Sequence, residues 1–338
     1  MRDGGAHEPF APFRGPRWLP GGHAQTIYPY FLKRPRVAYR RERVTTHDGD
    51  FWDFDWLADQ NEATPEAPLV VLFHGLEGGA QSHYALLLMR DVAARGWRGV
   101  VPHFRGCGGE PNLLPRAYHS GDYEEVGAML AQLRPRFPAA TPFFAVGVSL
   151  GGSALLNWLG RAGHEARSFL CAAATVSVPL DLMAAGIAID QGLNRIYTHH
   201  FLATLKPKAL GMARRFPGRL DASRIAHVRT MWDFDEVVTA PLHGFAGAND
   251  YWTRASCKPW LSKIEVPTLV LNARNDPFVP GRSLPTGADV APAVTLEQPA
   301  HGGHCGFMTG PAPGRIDWLP RRLLRFFDEA KALAAASS

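Results

Sequence analysis

Phe143-Phe144-Ala145-Val146-Gly147-Val148-Ser149-Leu150-Gly151-Gly152-Ser153-Ala154 passes from an apolar, strand-like run into small helix-compatible residues, with Gly-Val-Ser-Leu-Gly at the junction. A serine hydroxyl becomes a useful nucleophile when a sharp strand-to-helix turn lifts it clear of a sheet, and Gly147 and Gly151 keep that crossing free of side-chain clash. Five-residue patterns recur by chance in a chain with 34 glycines, so the weight of this one rests on its surroundings. A nucleophile elbow requires a parallel sheet, a second loop offering backbone donors, a base, and an acid to orient that base.

Working outward, apolar and β-branched runs alternate with helical patterns, the sequence form of an α/β fold whose parallel sheet is covered on both faces. Strands are expected at Leu69 to Phe73, Gly99 to Phe104, Pro142 to Val148, Phe169 to Val178, Pro267 to Asn272 and Val294 to Gln298. Helices are expected at His83 to Arg95, Tyr123 to Leu133 and Leu150 to Leu159, with Pro320 opening a last one that reaches Ala334. Val37 to Thr46 and Phe51 to Leu57 flank His47-Asp48-Gly49-Asp50 and read as an antiparallel hairpin at the sheet edge. The chain thus reads as one domain over 1–338, with a Gly-, Pro- and aromatic-rich arm over 1–35. A mostly helical lid insertion over 179–262 falls between the sixth and seventh core strands.

Composition narrows the function. The 338 residues are 46% hydrophobic and 20% charged, which are globular values. A net charge of +5 without blocks of like charge does not make a nucleic-acid binder. Cys107, Cys171, Cys257 and Cys305 show no CxxC spacing, and no basic-then-apolar leader opens the sequence, so a reduced, cytoplasmic protein is expected. No apolar stretch is long enough for a transmembrane segment. Contact with a membrane surface stays open through the basic aromatic stretch Arg321 to Phe327, which reads more naturally as an amphipathic helix on the sheet. Fourteen histidines invite a metal, but HExxH and HxxxH are absent, and no metal or cofactor is expected.

The remaining parts of the site can be placed in order. Attack by Ser149 puts charge on a carbonyl oxygen, which calls for two backbone N–H donors. One is Leu150, after the nucleophile; the other is assigned to Leu76 in His74-Gly75-Leu76-Glu77-Gly78-Gly79, the loop following the strand Leu69 to Phe73. The acid and base should follow Ser149 in that order, each after a strand. Asp276 stands in the turn after Pro267 to Asn272, and Pro299-Ala300-His301-Gly302-Gly303-His304 follows Val294 to Gln298. His304, on a longer glycine-flanked loop, is favoured as the base, with His301 bracing the loop. Asp181 is a rival acid that reads better as a helix N-cap.

Beyond these residues lie longer motifs: Gly-Gly-His-Ala-Gln-Thr-Ile-Tyr-Pro from Gly21, His-Gly-Leu-Glu-Gly-Gly from His74, and the Phe104 to Asp122 segment. Phe234 to Phe245, Asp250 to Ser256, Asn272 to Pro280 and Glu297 to Phe307 continue the series. Together they make the chain resemble, nearly end to end, the YheT-type branch of the α/β-hydrolase superfamily, close to the ABHD lipase group. Cys305 departs from the aliphatic residue expected there. The resemblance implies the α/β-hydrolase fold and a serine hydrolase of the carboxylesterase or acylglycerol-lipase kind. It also implies a triad of Ser149, Asp276 and His304, no cofactor, and a small acyl ester or lipid as substrate. The arm and the 104–122 loop are hallmarks of that family without a role that physics assigns, a share in shaping the acyl-binding cleft being one that is open to both; Leu202, Leu205, Leu210, Phe216, Trp232 and Phe234 are expected to turn apolar surface toward the cleft. An acyltransferase using the same acyl-enzyme, and a non-catalytic ligand-binding protein of this fold, are the alternative functions. Oligomeric state is not legible.

Overall fold

The computed structural model describes residues 11–58, 64 and 66–336, with Ala334 to Ala336 described by backbone alone. The first ten residues of the expected arm, and the last two of the expected domain, lie outside the described residues. Eight strands form one sheet: β1 (Tyr39–Thr45), β2 (Phe51–Leu57), β3 (Leu69–Phe73), β4 (Arg98–Pro102), β5 (Phe143–Val148), β6 (Ala172–Val176), β7 (Thr268–Leu271) and β8 (Val294–Glu297). Their spatial order is β1-β2-β4-β3-β5-β6-β7-β8. β2 runs antiparallel to both β1 and β4, and all other pairs are parallel.

Both faces of the sheet are covered, which is why the central strands carry continuous apolar runs. Residues alternate between two cores: Leu69, Val71 and Phe73 face one, Val70 and Leu72 the other. On the first face pack α3 (Tyr123–Leu133) and α4 (Leu150–Ala162); on the second, α2 (His83–Ala94) and the last helix, Trp318–Ala336. That last helix is docked through Leu323, Leu324 and Phe327, the Phe327 ring stacking on Phe144 with centroids 4.5 Å apart. Truncating either ring to alanine would cost about 3–5 kcal/mol. At the antiparallel edge, β2 is buried although it carries Asp53 and Asp55. Arg43 and Arg41, directly across the hairpin, meet them as two-pronged ion pairs.

β6 is shorter than the expected Phe169 to Val178. Ala166 accepts from the N–H groups of Phe169 and Leu170, closing a tight turn before the strand, and Ser177 at φ +53° ends it. Ahead of β1 the arm forms a short helix, α1 (Gly22–Ile27). Between β6 and β7 lie α5 (Leu182–Ile189), α6 (Arg195–Arg215), α7 (Ala222–His227), α8 (Met231–Phe234), α9 (Ala240–His243) and α10 (Ala248–Ala255), with one π-helical turn at Asp235–Thr239. In chain order the last helix is α11. The α6–α9 portion has a small core of its own, in which Leu202, Leu205, Ala209 and Ala213 pack against Ile225, Val228, Phe234 and Val238.

Candidate active site

Ser149 sits between β5 and α4 at φ +52°, a left-handed conformation that side-chain-bearing residues avoid. The packing explains how it is held. A Cβ on Gly147 would lie 2.5 Å from Gly152 Cα, and one on Gly151 would lie 2.4 Å from the His74 carbonyl, so neither position admits a side chain. The Ser149 N–H donates to Val176 O at 2.9 Å, tying the elbow to the neighbouring strand.

From this turn a hydrogen-bonded series runs outward. Ser149 Oγ lies 2.9 Å from His304 Nε2, and His304 Nδ1 lies 3.0 Å from Asp276 Oδ2. An ionised carboxylate only accepts, so Nδ1 carries the proton and Nε2 is left to accept from the serine hydroxyl. The Asp276 side chain has no solvent exposure and that of His304 has 11%. Asp276 is fixed from its other side by the Phe278 N–H, 2.8 Å from Oδ1. The Phe278 ring lies over the His304 imidazole with centroids 4.1 Å apart, leaving the ring little freedom to swing. Three segments far apart in sequence thus converge on one point.

The loop carrying His304 is braced by a device that sequence reasoning assigned elsewhere. His301 is exposed at the start of that loop, and among the described residues its side chain forms no hydrogen bond. The arm does: the His304 N–H donates to Thr26 Oγ1 at 2.8 Å, and the Met308 N–H to Gln25 Oε1 at 2.9 Å. Cys305, at φ +61°, donates its N–H to Ser177 Oγ at 2.9 Å. Gly303 and Gly306 let α1 approach closely, since a Cβ on either would strike the backbone of Gln25 or Thr26. On its other side α1 abuts the acid turn, where a Cβ on Gly22 would overlap Asn275 O. One short helix therefore sets the acid turn and the histidine loop against each other. Asp181, the rival acid, accepts the Ala184 N–H at 3.0 Å as the N-cap of α5.

The loop after β3 shows where unused donors remain. The Gly75 N–H donates to Tyr84 Oη, the Glu77 N–H to Tyr118 Oη, and the Gly78 N–H to Gly75 O. Among the described residues the Leu76 N–H, between them, has no acceptor. Leu150 opens α4, where the first N–H groups of a helix have no partner within it. His74 anchors this loop from beneath. Its Nε2 accepts the Phe104 N–H at 3.2 Å, which puts the proton on Nδ1, 2.8 Å from Gly75 O. Complete burial, with the neighbouring His103 adding to it, pulls its pKa down to about 3, so it stays neutral. The 104–122 loop thus braces the donor loop at two points, Phe104 and Tyr118. Nothing in the spacing of His74, Tyr118, Thr26 or Gln25 announces these contacts, because each joins segments distant in sequence.

Ser149, Leu150, Leu76 and His304 open on one cavity of about 500 Å³. Its sheet-side wall comes from the 104–122 loop; no described residue of the arm lines it, and the arm acts on the histidine loop instead. Its lid-side wall differs from expectation. Leu205 and Phe234 line it, but Leu202, Leu210, Phe216 and Trp232 do not. The helical period explains this: Phe201, Leu205, Lys208, Met212 and Arg215 share one face of α6 and meet the cavity. Leu202 falls on the adjacent face in the lid's own core, Leu210 packs against that core, Phe216 caps the helix end, and Trp232 is exposed. From α5, Leu182, Ala185, Gly186 and Ile189 complete the wall.

The elbow, the order of strands and the covered sheet define a class: the chain belongs to the α/β-hydrolase fold family, whose profile matches residues 68–311. Within it the chain belongs with the esterase- and lipase-like hydrolases. It is 37% identical over 329 residues to the Escherichia coli (strain K12) protein named "Putative esterase YheT", spanning 96% of this chain and 95% of that one. It is 32% identical to phospholipase ABHD3 of Mus musculus, over 91% of this chain and 76% of the relative. Among solved structures, the ferulic acid complex of Est1E from Butyrivibrio proteoclasticus superposes with a TM-score of 0.54. That match covers 88% of this chain and 100% of that one at 16% identity, a likeness of fold.

Proposed function

We propose that the protein hydrolyses carboxylic esters of short-to-medium acyl chains or acylglycerols, through an acyl-enzyme on Ser149. His304 Nε2 takes the hydroxyl proton as Ser149 Oγ attacks the ester carbonyl, while Asp276 holds the tautomer and stabilises the imidazolium that forms. The Leu76 and Leu150 N–H groups receive the developing oxyanion. Collapse of the tetrahedral intermediate breaks the acyl–oxygen bond, and His304 returns the proton to the departing alcohol. A water molecule then repeats the sequence on the acyl-enzyme, releasing the acid and restoring Ser149.

The observation that carries this reading is the unbroken series Ser149–His304–Asp276 opening on an apolar-walled cavity. A volume near 500 Å³ lies within the range of small-ligand pockets and suits an extended acyl group. The names of the relatives, an esterase and a phospholipase, favour the same bond class. Labelling with a fluorophosphonate probe tests it: the native chain reacts and Ser149→Ala does not, whereas equal labelling of both removes the proposal. Para-nitrophenyl esters of graded chain length test the acyl pocket. kcat/KM should climb from acetate toward octanoate, and a strict preference for acetate would count against an acyl-binding role.

A further inference from the structure

Two stretches of this chain hold cations and no acid. From Ala11 to Arg41 there are seven arginines and lysines without an Asp or Glu, and from Gln191 to Leu220 there are six more, again without one. The chain as a whole has 36 basic and 31 acidic residues, so everything outside these two stretches is net acidic. The segregated stretches meet in space. His23 of the arm stacks on Tyr197 of α6, with ring centroids 5.7 Å apart and Nδ1 3.0 Å from the hydroxyl. Some of the cations are matched: Arg41 by Asp55, Lys208 by Glu77. Among the described residues Lys33, Arg34, Arg36 and Arg195 form no ion pair.

Large exposed apolar side chains stand next to those cations in the sequence. Phe31 and Leu193 are each 79% exposed and Ile196 is 61% exposed. The helix next to them, α5, reads Leu-Met-Ala-Ala-Gly-Ile-Ala-Ile, without a polar side chain on any side. A helix of that kind is normally buried all round. Here its inner residues wall the cavity while Ile187 faces outward, exposed. Asp190 locks this arrangement, accepting from Thr198 Oγ1 of α6 and from the Met231 N–H of α8, each at 2.9 Å.

We propose that the face formed by the arm and the outer side of the lid docks on an anionic lipid surface. Phe31, Leu193 and Ile196 enter the boundary between headgroups and acyl chains, and Lys33, Arg34, Arg36 and Arg195 lie against the headgroups. Charge selects this occupant. A second copy of the chain would bring two basic faces together, and a nucleic acid would leave protruding apolar side chains in water; a bilayer with anionic lipids satisfies both features. The docked lid would then stand between the lipid and the cavity that α5 lines on its other side. Delivery of an ester to Ser149 rests on the proposed function, whereas the docking does not.

Sedimentation of the full chain with lipid vesicles tests it. Phosphatidylcholine vesicles containing about 30% phosphatidylglycerol should carry the protein down, pure phosphatidylcholine should do so weakly, and high salt should weaken the first. The triple variant Phe31→Ser, Leu193→Ser, Ile196→Ser should lower binding by about tenfold or more. A second variant, Lys33→Gln, Arg34→Gln, Arg36→Gln, should erase the preference for the anionic vesicles. Both should keep the native melting temperature and the rate on a water-soluble ester. Unaltered vesicle binding by both variants, no binding by the native chain, a dimer through these side chains, or duplex DNA bound instead of vesicles would each overturn the proposal. Ser149→Ala should sediment like the native chain, so loss of esterase activity and loss of docking are read separately.

Discussion

The two walls of the cavity are held by different means. On the sheet side, positions are fixed by backbone: a serine at positive φ, glycines pressed against carbonyls, a neutral buried His74, and an arm whose Thr26 and Gln25 receive N–H groups from the histidine loop. On the lid side, the wall is mostly apolar side chains, with Lys208 and Arg215 among them, over a small core of their own. In the proposed reaction a proton travels between atoms about 3 Å apart on the first wall, where an error of an ångström costs about a hundredfold in rate. The second wall would meet the flexible acyl chain of the proposed substrate, for which apolar surface of roughly the right shape is enough. The contrast teaches that one cavity can combine a preorganised half with a forgiving one.

The comparison can be broken most forcefully at Asp276. Asp276→Asn should lower kcat by about 10³- to 10⁴-fold with KM little changed, because His304 would lose its oriented tautomer. Steady-state kinetics on a soluble ester measures it, and a loss below about tenfold would mean that this wall does not orient the base. Next comes the arm. Thr26→Ala should reduce kcat by about ten- to a hundredfold at unchanged KM, and Thr26→Ser, which keeps the acceptor oxygen, should restore most of it. A loss confined to melting temperature would assign Thr26 to stability alone.

On the forgiving wall the effects should be smaller and selective. Leu205→Ala should cut kcat/KM for octanoate esters by about five- to thirtyfold and leave acetate esters nearly unaffected. Uniform loss across chain lengths would remove the distinction between the walls. The smallest effect concerns pH. Burial raises the Asp235 carboxyl to about 6, with Thr239 and Trp252 holding it by hydrogen bonds and Asp190 adding to the rise. A carboxyl with a raised folded pKa keeps its proton after the unfolded chain has released it. Its contribution to stability is therefore present at low pH and lost as pH rises from about 4 through about 6. His74, with its pKa pulled down to about 3, acts oppositely: its contribution is present above about 6.5 and lost as pH falls. Asp235→Asn should raise the melting temperature at pH 7 relative to pH 4, compared with the native chain. No difference between the two pH values would mean that Asp235 is not buried as a neutral acid.

Much of this was legible in the sequence, for physical reasons that also mark where legibility stopped. Parallel strands buried on both faces must be apolar throughout, so β3, β5, β6 and β7 stood out as runs, though the edges of β6 were set by the Ala166 turn and the Ser177 conformation, which leave no periodic trace. Ser149, Asp276 and His304 lie in strand-end loops whose order and turn chemistry are local features, and the structure brings them within hydrogen-bonding distance. The lid residues were only half legible. Counting apolar residues finds Leu202 and Leu205 equally, and only the neighbours of α6 decide which of the two turns to the cavity. Thr26, Gln25, Tyr118 and His74 stood in motifs the sequence made visible, but their bracing roles did not, since Thr26, Gln25 and Tyr118 meet partners elsewhere in the chain and His74 reaches across to the Phe104 N–H.

The pressing of α1 against Gly303 and Gly306 has a consequence in time. During synthesis the arm emerges from the ribosome roughly 280 residues before the loop it braces, so Ser149 can be in its elbow long before His304, its proposed base, exists. Reactivity would therefore arrive late and all at once, after translation has passed the histidine loop. Fluorophosphonate labelling of stalled nascent chains of increasing length would reveal that onset.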